Sequence, residues 1–151
     1  MRAVAPDRRP PPAAWGLGAL ALLPLVVFWA GHRYGWEGSA SETALLWGLV
    51  LLGLASGLIA APAALRGHWL LAYAAVGVPV LGVVILGLVH AGAGLWIGSA
   101  DLMRAEILGL ILILGLDLWA ARIGLVPDWW PRWKLGFTVL AAVLLLAPGF
   151  G

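Results

Sequence analysis

Apolar residues in this chain fall into long runs separated by short breaks of charge, Pro/Gly clusters or Trp. A membrane-spanning helix needs roughly 20 mostly apolar residues at about 1.5 Å of rise each, and five runs approach that length. The first covers residues 14–30, with Pro24 as an internal kink, and the second 43–65. Ser39 and Glu42 stand just before the second run at the spacing of a capping box, so this helix is expected to start at Ala40. The third covers 69–89 and contains Pro79. Glu106 and Asp117 interrupt the fourth, which Ser99 as N-cap extends to 100–121, placing Asp101, Arg104 and Glu106 near the headgroups. The fifth covers 133–147, behind a break at Pro127, Asp128, Trp129, Trp130 and Pro131. The pattern predicts an all-α integral membrane protein, a bundle of five transmembrane helices in one domain over 13–151. A basic, Pro-rich tail over 1–12 is expected to be disordered.

Composition agrees with this reading. The chain is 63% hydrophobic and 11% charged, whereas a soluble domain carries about 25% charged residues. It has no cysteine, which excludes disulfides, thiolate metal sites, cysteine nucleophiles and thioether haem attachment. The net charge of +2 does not indicate nucleic acid, because the cations flank apolar runs as membrane anchors do. Arg2, Arg8, Arg9, Arg66, Arg122, Arg132 and Lys134 share one side of a five-span chain, against Arg33 and Arg104 on the other. The positive-inside rule then puts the N-terminus in the cytoplasm and the C-terminus outside, in a bacterial inner membrane. Trp15, Trp69, Trp119, Trp129, Trp130 and Trp133 fall at inner ends, and Trp29, Trp36, Trp47 and Trp96 at outer ends, as interfacial indoles do. No convincing small-x-small cleavage site follows the first run, and the apolar pattern resumes four more times, so it is expected to stay as a helix rather than be removed as a signal.

Helices in lipid associate through close backbone approach at small residues. The second run carries Gly53 and Gly57, and the third carries Gly77 and Gly82, with only Arg66, Gly67 and His68 between the two runs. A tight antiparallel hairpin is therefore expected to form the core, with Gly57 opposite Gly77 and Gly53 near Gly82.

Asp117 is the leading polar candidate, since a carboxylate deep in a bilayer costs about 2.5 to 3.5 kcal/mol. Arg122, Arg132 or Lys134 could neutralise it, which leaves open a structural ion pair or helix contact on one hand and a proton or ligand role on the other. Glu106, Asp101, Glu37, Glu42, His32 and His90 read as a solvated outer rim without metal-ligand spacing. The three histidines lie at helix ends, which excludes a bis-histidine haem within the spans. Ser56-Gly57 lacks the preceding glycine and the nearby histidine of an intramembrane serine protease, and no phosphate loop, zinc-protease motif or nucleophile elbow occurs. Trp129, Trp130, Arg132, Trp133 and Lys134 are expected to form an interfacial loop along anionic headgroups.

With these residues placed, the chain resembles the transmembrane protein 69-like family, domain of unknown function 3429. The likeness rests on Leu116-Asp117-Leu118, Ala120-Ala121-Arg122, Gly124-Leu125-Val126-Pro127, Trp129 and Thr138, with Leu17-Gly18, Leu23-Pro24 and Pro79 upstream. It departs at Ser56-Gly57-Leu58, where that family tends to have a Gly-Gly pair followed by Trp. The resemblance implies five helices and no established activity. Trp129-Trp130-Pro131-Arg132-Trp133 is also similar to the Trp-rich loop of the tryptophan-rich sensory or translocator proteins, which bind tetrapyrroles and sterols. In that family the loop follows helix one, whereas here it precedes helix five.

The expected function is that of a non-enzymatic accessory, assembly or structural component of a membrane complex, with the lipid bilayer and other subunits as partners and no cofactor. The alternative is a binder or carrier of a small lipophilic ligand such as a tetrapyrrole or lipid, with Asp117 and the Trp-rich segment guarding a pocket.

Overall fold

The computed structural model describes residues 9–34, 39–91 and 98–146. They form five helices, α1 (Pro12–Arg33), α2 (Ser39–Leu65), α3 (Trp69–His90), α4 (Ser99–Arg122) and α5 (Trp130–Leu146), and no strand. Three segments, 12–31, 43–65 and 69–89, are long and apolar enough to cross a membrane, which points to a membrane protein. α4 carries Glu106 and Asp117 within its length, and α5 has 17 residues.

The helix ends follow local chemistry. α1 starts at Pro12, whose missing N–H costs nothing in a first turn, so the tail assigned to 1–12 stops short of that residue. Residues 1–8 of that tail, Trp36, Glu37 and Trp96 lie outside the described residues, as do the side chains of His32, Ser39, Glu42, His90 and Ser99. α4 is capped by extended Gly98 with no side-chain cap bond, so Ser99 is its first helical residue rather than its cap. α5 starts at Trp130, a turn earlier than the sequence pattern suggests, because proline is tolerated in the first turn of a helix.

α2 and α4 both end in a Schellman motif. Gly67 (φ +79°) and Gly124 (φ +69°) take the left-handed position. After α2, the Gly67 N–H donates to Ala64 O and the His68 N–H to Ala63 O; after α4, Gly124 N–H donates to Ala121 O and Leu125 N–H to Ala120 O. The Arg66 guanidinium then donates to the Gly124 carbonyl at 2.9 Å, which joins the two turns at one end of the molecule.

α2 is central and packs against the other four helices, with α3, α4, α5 and α1 following one another around it. The core is aliphatic, with Leu51, Leu52, Ala55, Ile59 and Ala63 of α2 against residues such as Leu71, Ala75, Leu110 and Ile113. Ser56 is buried on the same helix. The glycine stripe expected to face α3 does not do so. Gly53, Gly57 and Gly77 are exposed, and a Cβ added at any of them meets nothing within 4 Å. α3 instead meets α2 where Gly82 receives the Leu49 side chain, 2.9 Å from an added Cβ. Gly109 of α4 similarly receives Leu52 of α2 and Val78 of α3. Large side chains pack onto lone glycines here, which fills the interface better than glycine on glycine, because dispersion grows with the number of atoms in contact.

α1 docks in two ways. Its Pro24 has no N–H, so the carbonyl one turn back lacks its helical donor, and the adjacent Ala21 carbonyl accepts the Trp47 indole N–H of α2 at 2.8 Å. One turn earlier Gly18 lies under Trp133 and Phe137 of α5, 3.3 and 3.6 Å from an added Cβ.

Candidate functional site

Six buried residues on α4, Met103, Glu106, Leu110, Ile113, Asp117 and Ala120, recur at alternating spacings of three and four. That is the seam of a helix packed on both sides, and two of its positions are acidic. Glu106 is 7% exposed and Asp117 0%. Glu106 was expected on a solvated rim; it is instead turned inward on the same face as Asp117.

Asp117 is matched from α5. Trp130 and Lys134 are one turn apart on that helix and so share a face. The Trp130 indole N–H donates to Asp117 Oδ1 at 2.5 Å, and the Lys134 ammonium lies 3.5 Å from Oδ2. Oδ2 has no hydrogen-bond partner among the described residues, so the ion pair is one of proximity and charge rather than of a short bond. Lys134 is 2% exposed and also lies 5.7 Å from the Trp130 ring centre and 5.9 Å from that of Phe137, within cation–π range. Arg132 and Arg122, the other partners considered for Asp117, are both exposed and take no part, the latter at the end of α4. Five residues along a helix turn it well away from the inward face.

The Trp-rich segment is therefore not one interfacial loop. Trp129 ends the turn, while Trp130 to Lys134 open α5, with Trp133 and Lys134 buried and Arg132 exposed. The rings form a connected wall: Trp129–Trp130 at 5.6 Å, Trp130–Trp133 at 5.3 Å, and Trp133 stacked on Phe137 at 5.8 Å and 24°. This wall closes one side of a groove of about 610 Å³ between α1, α2 and α5. The opposite side is Pro11 and α1 as far as Ala21, and the floor is α2, where Gly53 and Gly57 lie open. Lys134 is the one charged side chain among the described residues that line it. Cavities of about 300 to 1,000 Å³, mostly apolar with a few placed polar groups, are typical of small-molecule sites.

The groove reaches the end of the bundle where Arg66 joins the α2–α3 and α4–α5 turns, since Pro11 and Trp129 both border it. Arg9, Arg66, Arg122 and Arg132 are all exposed near that end. Arg104 and Asp101 form an exposed ion pair at the other, 2.9 Å apart.

No protein-family model, curated protein or solved structure matches this chain. Fold and groove together define an all-helical membrane protein with a buried acid–base pair behind an aromatic wall.

The sequence contained a signal for Glu106 that its position near a helix start obscured. Glu106 and Asp117 are 11 residues apart, close to three full turns, and Leu110, Ile113 and Ala120 mark the same face as apolar.

Proposed function

We propose that the protein is a non-enzymatic, multi-pass bacterial inner-membrane protein that binds a small lipophilic ligand, such as a tetrapyrrole or lipid, in the groove between α1, α2 and α5. The observation that carries this reading is the groove itself: about 610 Å³, walled by Trp129, Trp130, Trp133 and Phe137, with the Lys134 ammonium as its charged group. The aromatic faces suit a flat or apolar body, and an ammonium suits a carboxylate or phosphate at the ligand's end. An ammonium held by Asp117 has no free electron pair for attack, so it orients a ligand rather than reacting with it.

In this reading all five helices cross the bilayer, with the N-terminus cytoplasmic and the C-terminus outside. Support comes from the exposed arginines gathered around the two Schellman turns, and from the inward aim of Glu106 and Asp117, which keeps the charges of α4 off the lipid. Kinship with the transmembrane protein 69-like family is part of the proposal. Of the residues that carry that likeness, Asp117 anchors the buried pair, Gly124 makes the turn and Trp129 borders the groove.

The test is native mass spectrometry with an absorbance scan on the tagged protein, extracted gently from its own membrane. A defined lipophilic mass is expected on the wild-type chain and lost in Gly53→Trp, which fills the groove from its open floor. Stoichiometric membrane subunits without such a mass would return the accessory-component reading to first place.

A further inference from the structure

Glu106 takes no part in the groove. Its carboxylate lies about 16 Å along α4 from Asp117, at 1.5 Å per residue, and is buried where α2, α3 and α4 meet. Gly48 of α2 makes room for it: an added Cβ there would sit 2.6 Å from the carboxylate carbon. Oε2 is buried with no hydrogen-bond partner among the described residues. Arg104, two residues earlier on α4, is exposed and engaged with Asp101.

Beside Glu106 lies a cavity of about 240 Å³. Leu49, Val78, Ile85 and Leu102 form its walls, and Glu106 is the one ionisable side chain among the described residues that line it. Leu81, Leu108 and Leu112 line the cavity and are also exposed on the outer faces of α3 and α4, so its mouth opens sideways between those two helices. A buried carboxylate without a donor is costly, and a ligand that brings one recovers that cost. Among the described residues the aliphatic walls offer no further side-chain oxygen or nitrogen with which to complete the coordination of a metal ion. They suit a hydrocarbon body, and apolar cavities of about 150 Å³ already take up benzene.

We propose that this cavity is a second ligand site, independent of the groove, which admits a small lipophilic amine from the side of the bundle and holds its N–H against the Glu106 carboxylate. The ligand class is one donor-bearing cationic head on an aromatic or short aliphatic body. An ammonium satisfies the carboxylate in both charge and hydrogen bonding.

The test uses the purified full-length chain in neutral detergent, with 2-phenylethylamine as probe and propylbenzene as its isostere without the amine. The amine is expected to raise Tm saturably and propylbenzene to do so weakly. In Glu106→Gln the amine should bind about tenfold more weakly or worse, as follows from losing a hydrogen bond to a charged group. Leu81→Trp, at the exposed mouth, should also abolish the response, and decides the matter should the Gln variant fail to fold. Gly53→Trp, which fills the groove, should leave the amine response intact. Equal responses to amine and hydrocarbon, an undiminished response in folded Glu106→Gln, or no response in the wild type would each overturn the proposal.

Discussion

The Arg66 guanidinium donates to the carbonyl of Gly124, 58 residues away, and so fastens the end of α2 to the end of α4. Both partners sit in turns that need a left-handed glycine, at Gly67 and Gly124. Alanine at either position strains the backbone and is expected to cost about 1 kcal/mol. Alanine at Gly53, Gly57 or Gly77 meets open space within a helix and should be neutral or stabilising by about 0.5 to 1 kcal/mol. Denaturation midpoints of the five variants in one detergent check this. Equal losses at all five sites would restore the glycine-stripe view of the core.

Asp117 and Lys134 are both buried, so removing one charge strands the other. Asp117→Asn and Lys134→Met are each expected to lose about 3 to 5 kcal/mol, and the double variant to recover most of that loss. A double-mutant cycle on thermal stability measures the coupling. Additive losses would mean that the two charges do not stabilise one another. Asp117→Asn therefore makes a poor probe of ligand binding, since it changes the fold around Lys134 first.

Gly48 and Glu106 form a matched pair of a different kind. Gly48→Ala forces the carboxylate out of its place and is expected to destabilise by about 1 to 3 kcal/mol, as overpacking does. Glu106→Ala in the same chain should relieve most of that cost. A loss that persists in the double variant would locate the clash elsewhere.

Sidedness can be read chemically, because the chain has no cysteine of its own. Single cysteines at Asp128 and Asp101, both exposed, report opposite ends. In intact cells an impermeant maleimide is expected to label the residue 101 variant and spare the residue 128 variant until the membrane is opened. The reverse pattern would invert the proposed orientation.

The helices were legible in the sequence because each apolar run ends in charge, Gly or Pro, and the ends of all five described helices fall within about one turn of those breaks. Their inward faces were not. In a chain this apolar, a lipid-facing Leu and a core Leu look alike, and Gly53 and Gly57 proved to face outward while Leu52 and Ile59 face in. Asp117 stood out by its cost in an apolar run. Its partner stays open among three cations in the sequence because the apolar run starts at Trp133, beyond Pro131. Starting the helix at Trp130 aligns Trp130 with Lys134 and decides among them.

The buried seam of α4 bears on how the chain is made. Synthesis runs from α4 to α5, so in the five-span arrangement Asp117 emerges from the ribosome before its counter-charge Lys134, which follows 17 positions later. During that interval α4 presents two unmatched carboxylates to the insertion machinery and partitions poorly into lipid on its own. In the proposed five-span arrangement α4 and α5 are therefore expected to enter the bilayer as a helical hairpin, and a stop placed between them is expected to leave only the first three helices anchored.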